Sequence, residues 1–232
     1  MFKWNVIAIG HLSRNRYWGE SEEEGYRMPM ATCSLIQTGT DNILVDPSLP
    51  EDEMAKALFD NSGLKPEQIT KVYSTHFHYD HHVSPLQFSK AEWFMSAIDQ
   101  QQNLLGWEEF ASSYWESIKH VITQQYDEFM AKMRMEAEKF IPAADEIVPG
   151  LRLVPLPGHT EGTAGLLFDG PEGRVLMTGD AVMTKDFFRE RRPFFFGWNY
   201  EEAENSMHYA AGIADIIVPG HGEAFVVSAF SS

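Results

Sequence analysis

The sequence predicts a layered α/β (α+β) protein with one core. Three observations predict it. Strand-length apolar segments alternate with helical stretches in both halves of the chain. The longest helical pattern is confined to the middle, at residues 97–140. The 232 residues suffice for one sizeable core and would be cramped for two, so a single domain over 1–232 is expected.

Taken in order, residues 6–10, 33–38 and 42–46 read as strands, and Gly39, Thr40 and Asp41 form the hairpin turn between the last two. Residues 50–61 read as a helix closed by Gly63. Residues 69–74 form a short strand that runs straight into Thr75, His76, Phe77, His78, Tyr79, Asp80, His81 and His82. From 97 to 140, Trp107, Phe110, Tyr114, Ile118, Phe129, Met133, Ala137 and Phe140 keep to a spacing of three or four, the mark of an amphipathic helical region, here broken near Gly106. Its stripe reads as core or subunit interface. Residues 151–156, 164–169 and 174–178 are strands, with a turn over 169–173. Residues 200–211 form a helix ended by Gly212, and 216–218 a short buried strand before Pro219, Gly220, His221 and Gly222.

Composition excludes several function classes. No run of about 18 apolar residues is present, so no membrane-spanning helix is expected. The apolar patch at residues 6–9 is too short for a signal-peptide core, and a cytoplasmic address is expected. A net charge of −16 repels a phosphate backbone and argues against nucleic-acid binding. With one cysteine, Cys33, neither a disulfide nor a thiolate cluster can form within the chain, so any metal must be held by nitrogen and oxygen.

Those atoms are concentrated. Three of the nine histidines fall in the run from His76 to His81. His76, His78 and Asp80 alternate, so in an extended segment they project to one side, and a turn brings in His81. Imidazole nitrogen and carboxylate oxygen suit zinc, iron or manganese. Three later positions share a pattern: His159, Asp180 and His221 each follow a glycine at the exit of a predicted strand. Glycine permits the tight path that aims the next side chain off the end of a sheet.

The run Thr75 to His81, followed in order by His159, Asp180 and His221, resembles the motif set of the metallo-β-lactamase superfamily over nearly the whole chain. The resemblance implies a four-layer αββα sandwich with metals at one edge. It implies that His76, His78 and His159 hold one metal, that Asp80, His81 and His221 hold a second, and that Asp180 bridges them. The expected cofactors are two divalent ions, zinc first, with iron or manganese as substitutes. A metal-bridging hydroxide is the implied nucleophile, and Asp80 the catalytic residue that orients it or relays a proton to the leaving group.

Departures narrow the branch. Asp180 stands where zinc β-lactamases of the commonest class carry cysteine. His78 stands where the oxygen-reducing diiron branch carries glutamate. Eleven residues follow His221, too few for the glutathione-binding helical domain of glyoxalase II. The expectation is a compact, lactonase-like or glyoxalase II-like hydrolase of an ester, lactone or thioester. Its partner is a small-molecule substrate, with no nucleic acid and no membrane. The region 97–140 is a helical insertion, expected to act as a lid or to form a homodimer contact. A single-iron persulfide dioxygenase-like enzyme is the alternative, and a non-catalytic metal-binding module the second. The stretch 187–198, with three arginines among six aromatics, reads as a buried loop, a dimer contact or a pocket wall with an arginine for an anionic group. His82 reads as a supporting residue, and His11, His120 and His208 as lying outside the site. Tyr17, Tyr26 and Tyr114 are open candidates for oxyanion stabilisation.

Overall fold

Alternation along the strands sorts the apolar residues into sets that face opposite ways. A computed structural model describes residues 2–20, 27–105, 112, 115, 116, 119, 125–194 and 197–230. Its first sheet contains β1 (Lys3–Ala8), β2 (Cys33–Gln37), β3 (Asn42–Val45), β4 (Lys71–Tyr73), β5 (Glu92–Met95) and β6 (Ile141–Pro142), in that spatial order. The β1–β2 and β2–β3 pairs are antiparallel, and β3 to β6 run parallel. The second sheet contains β7 (Glu146–Val148), β8 (Leu151–Pro155), β9 (Ala164–Gly170), β10 (Gly173–Gly179), β11 (Ile216–Pro219) and β12 (Phe225–Val226), also in chain order. It is antiparallel except for the β10–β11 pair.

Ile36, Ile43, Val45 and Tyr73 of the first sheet pack against Leu166, Phe168, Val175, Met177 and Val218 of the second. Their neighbours Leu35, Leu44 and Val72 face the other way, onto Met54 and Leu58 of α1 (Glu51–Ser62) and Phe129, Met133 and Ala137 of α3 (Tyr126–Lys139). On the far side, Leu167, Leu176 and Ile217 meet Phe188 of α4 (Lys185–Arg189) and Met207 and Ala210 of α5 (Tyr200–Ile213). The layers are therefore helix, sheet, sheet, helix: the expected αββα sandwich, with one apolar core between the sheets and one under each helical layer.

Several boundaries differ from the sequence reading. The first strand begins at Lys3, before the expected residue 6, and ends at Ala8, short of Gly10. Helix α5 runs through Gly212, because Ile213 and Ala214 pack on the outer face of the second sheet. That packing outweighs the roughly 1 kcal/mol propensity penalty of glycine. Strands β5, β6, β7 and β12 and the short α4 were not expected. Of the region 97–140, α2 (Ala97–Leu105) and α3 are described, and the expected break near Gly106 lies outside the described residues. The apolar stripe of α3 is core: Phe129, Met133 and Ala137 are buried.

Two hydrogen bonds tie the sheets together beside the later motifs. The buried Tyr73 hydroxyl donates to Ala164 O at 2.8 Å, and Ala164 N donates to Thr75 O at 3.0 Å. Burial pushes the Tyr73 hydroxyl pKa well up, so it stays a donor. Tyr73→Phe is expected to lower stability by about 1–2 kcal/mol, read as a lower urea midpoint at unchanged slope.

Candidate metal centre

The chain leaves β4 at Tyr73, bends at Thr75 and His76, is extended at His78, and then makes one short 3₁₀ turn over Tyr79–His81. That turn supplies the change of direction His81 needs. It brings together two buried groups whose ligand atoms lie within 4.8 Å of one another: His76, His78, His159 and Asp180, and beside them Asp80, His81 and His221. His159 enters from the loop after β8, Asp180 directly after β10 and His221 after β11.

In the first group, His78 Nδ1 lies 2.9 Å from His76 Nε2 and 2.8 Å from His159 Nε2. A neutral imidazole has one N–H, and three ring nitrogens this close cannot satisfy one another. Asp180 faces both groups. Its Oδ2 is 3.3 Å from His159 Nε2 and 4.0 Å from His76 Nε2. Its Oδ1 is 3.2 Å from His81 Nε2 and 3.3 Å from His221 Nε2. Asp80 Oδ2 lies 3.6 Å from His221 Nε2 and 3.9 Å from His81 Nε2. Asp180 Oδ1 and His81 Nε2 are buried without a well-formed hydrogen bond. Buried nitrogen and oxygen atoms left in this state, converging from two sides on a shared carboxylate, fit divalent cations.

The outer ring nitrogens are anchored. His221 Nδ1 donates to Met30 O at 2.8 Å, with His11 O at 3.1 Å. His81 Nδ1 donates to Asp46 Oδ2 at 2.9 Å. Each bond fixes a proton on Nδ1 and aims Nε2 at the centre, so that the neutral ring would offer its lone pair there, the arrangement that metal-binding histidines require. Asp46 also accepts from Thr75 N at 2.8 Å and Thr75 Oγ1 at 2.9 Å. The sequence reading passed over Asp46 as the end of a strand. The signal available was an acidic residue closing an otherwise apolar segment, and it does not point to a partner 35 positions away.

The glycines before the ligand candidates serve two different needs. Gly179 has φ +52°, a left-handed backbone that gives the tight path expected from sequence. Gly220 is needed for space: a methyl group there would overlap Asp180 Oδ1.

Burial pushes the pKa values of His76, His78 and His159 down and keeps them neutral, as ligands must be. Burial acts against the Asp180 carboxylate, but His221, His81 and His159 outweigh it and hold its pKa well below the usual range. Burial likewise opposes charge on His81 and His221, and there the carboxylates led by Asp180 prevail and raise both.

A small cleft of about 20 Å³ opens onto His159 and Asp180, walled by Pro193, Phe194, Tyr200 and Ala203. Among its described residues, the stretch 187–198 contributes Pro193, Phe194 and Gly197 to this cleft and no arginine. Arg189 pairs with Asp186 and Glu190, and Arg191 lines a separate groove with Phe188, His208 and Phe230. Phe195 and Phe196 lie outside the described residues, as do His120, Tyr26 and Tyr114. Tyr17 packs edge-on against Phe187, and its hydroxyl accepts from Arg16. His11 contributes its carbonyl beside His221, while His208 is exposed on α5.

The chain is similar to an N-acyl homoserine lactonase of Bacillus cereus, 28% identical over 163 residues, covering 69% of this chain and 57% of that protein. Two solved structures share the fold. One is a Thermotoga maritima protein described as a metallo-beta-lactamase (TM-score 0.69, 17% identity, 97% of this chain and 99% of that one). The other is AidC, a dizinc quorum-quenching lactonase in complex with a product N-hexanoyl-L-homoserine (TM-score 0.64, 15% identity, 84% and 73%). The family profile of the metallo-beta-lactamase superfamily matches residues 26–221. With that match spanning most of its length, the chain belongs to the metallo-beta-lactamase superfamily.

Proposed function

We propose that the chain is a dinuclear, zinc-dependent hydrolase of a small carboxylic ester, lactone or thioester. The observation that carries this reading is the position of Asp180, one oxygen facing His76 and His159 and the other facing His81 and His221. On this reading His76, His78 and His159 hold one ion, Asp80, His81 and His221 the other, and Asp180 serves both. Ions held there would supply Lewis acidity, polarising a substrate carbonyl and lowering the pKa of water toward neutrality.

The chain's own residues do the rest. Asp46 and the Met30 carbonyl lock the tautomers of His81 and His221. Asp80 is part of the second group, 5% exposed and 3.6 Å from His221 Nε2, and its carboxylate can take a proton from the nucleophile and pass it to the leaving oxygen. Pro193, Phe194 and Ala203 exclude water from one side of the cleft and offer an apolar surface to the group beside the scissile bond. The B. cereus relative is an N-acyl homoserine lactonase, and AidC is a dizinc lactonase. Lactones are therefore the first substrates to test, and zinc the first metal.

Metal quantification should find two ions per chain, and a panel of lactones, esters and thioesters should include a hydrolysed member. Asp180→Ala should lose both the metal and the rate; an inert wild-type protein carrying two ions would sink the hydrolase assignment. Asp46→Asn should weaken metal binding roughly 10–100-fold in chelator competition, while the apo-protein keeps its far-UV spectrum. Phe194→Ala should raise KM about tenfold for substrates with a long apolar group, equivalent to about 1.4 kcal/mol, and leave short-chain analogues within twofold.

A further inference from the structure

The run from His76 to His82 has two sides. His76, His78, Asp80 and His81 turn toward the centre, while Phe77, Tyr79 and His82 are buried against α3 and the residue that follows it. The Tyr79 ring lies 5.5 Å from that of Phe129, and the Phe77 ring 6.1 Å from that of Phe140. His82 stacks on Phe77 at 4.4 Å.

A polar chain runs through these apolar contacts. His82 Nδ1 donates to Glu136 Oε2 at 2.7 Å, and Lys132 Nζ pairs with Glu136 Oε1 at 2.6 Å. Lys132 Nζ also reaches His82 O at 3.4 Å and sits 4.8 Å from the centroid of the Tyr79 ring. Glu136 is fully buried in the last turn of α3. A buried carboxylate is expensive to retain, and well-packed apolar residues often do as well for stability alone. What this pair adds is direction: Glu136 accepts from His82 and Lys132 donates to His82 O, so one helix is tied to one loop from two side chains.

We propose that Glu136, paired with Lys132, is a positioning residue that acts through His82 to set the geometry of the loop carrying His76, His78, Asp80 and His81. The proposal rests on the reading of those four residues as metal ligands. It makes α3 the foundation of the centre, and its two ionic side chains determinants of metal affinity although neither reaches the metal groups.

Cobalt(II) is the probe, loaded into the full-length chain and read by visible absorption and by chelator competition. Glu136→Gln keeps the size of the side chain and removes its charge. Lys132→Met keeps the bulk and removes the partner, and being at a partly exposed position it provides the decision should Glu136→Gln not fold. Each is expected to weaken cobalt binding about tenfold or more, to shift the cobalt absorption bands, and to lower kcat with KM within twofold. The chelator-treated variants should keep the wild-type far-UV spectrum. Lys132→Arg should restore affinity and spectrum. Variants that fold and bind cobalt with wild-type affinity and bands would overturn the brace alone. A wild-type chain that binds no cobalt would overturn the reading of the centre, and the brace with it.

Discussion

The Asp46 carboxylate, buried at the end of β3, holds the first ligand-bearing loop against the sheet. One oxygen accepts from Thr75 N, and the other from Thr75 Oγ1 and His81 Nδ1. An ionised carboxylate buried without such partners would cost several kcal/mol. With three donors supplied, the same burial becomes a constraint: the loop after β4 must pass where Thr75 and His81 meet Asp46. The neighbouring contacts follow from that placement. Thr75 O accepts from Ala164 N, and the Thr75 side chain, its hydroxyl nearest, fills the space that a side chain at Gly179 would take, just before Asp180.

The sheets explain why the candidate ligands share one edge. Strands β3 and β4 are parallel, so Asp46 and the His76 run leave the first sheet at the same end. Strands β10 and β11 are parallel, and β8 is two antiparallel steps from β10, so His159, Asp180 and His221 leave the second sheet at a common end too. Side chains at the carboxyl ends of such strands are where open α/β sheets place their chemistry. The Tyr73 and Ala164 contacts bring those two ends together.

The helical layers hold the loops from outside. Glu136 and Lys132 of α3 meet the His76 to His82 run. The first turn of α2 does the same for the loop after β8: Thr160 Oγ1 donates to Asp99 Oδ1 at 2.8 Å, one residue beyond His159. The described parts of 97–140 are therefore supports for both loops.

How much of this was legible depends on the range over which each signal acts. Alternation and turn residues are local, so β2, β3, β8, β9, β10 and β11 could be read to within a residue or two, as could the four segments that carry His76 to His81, His159, Asp180 and His221. Strands β6, β7 and β12 were not legible, because segments of two or three residues have no pattern of their own and are strands only through their neighbours. The stripe of α3 was visible, but its role was not, since a core face and an interface have the same spacing. By itself the sequence determined which atom types are present, and in what order, for a nitrogen and oxygen metal centre. Only the tertiary structure decided which oxygen of Asp180 faces which histidines, that Asp46 orients His81, and that Glu136 braces the loop. Each of those is a contact between residues far apart in the chain, and it exists only once the packed layers bring them within hydrogen-bond reach.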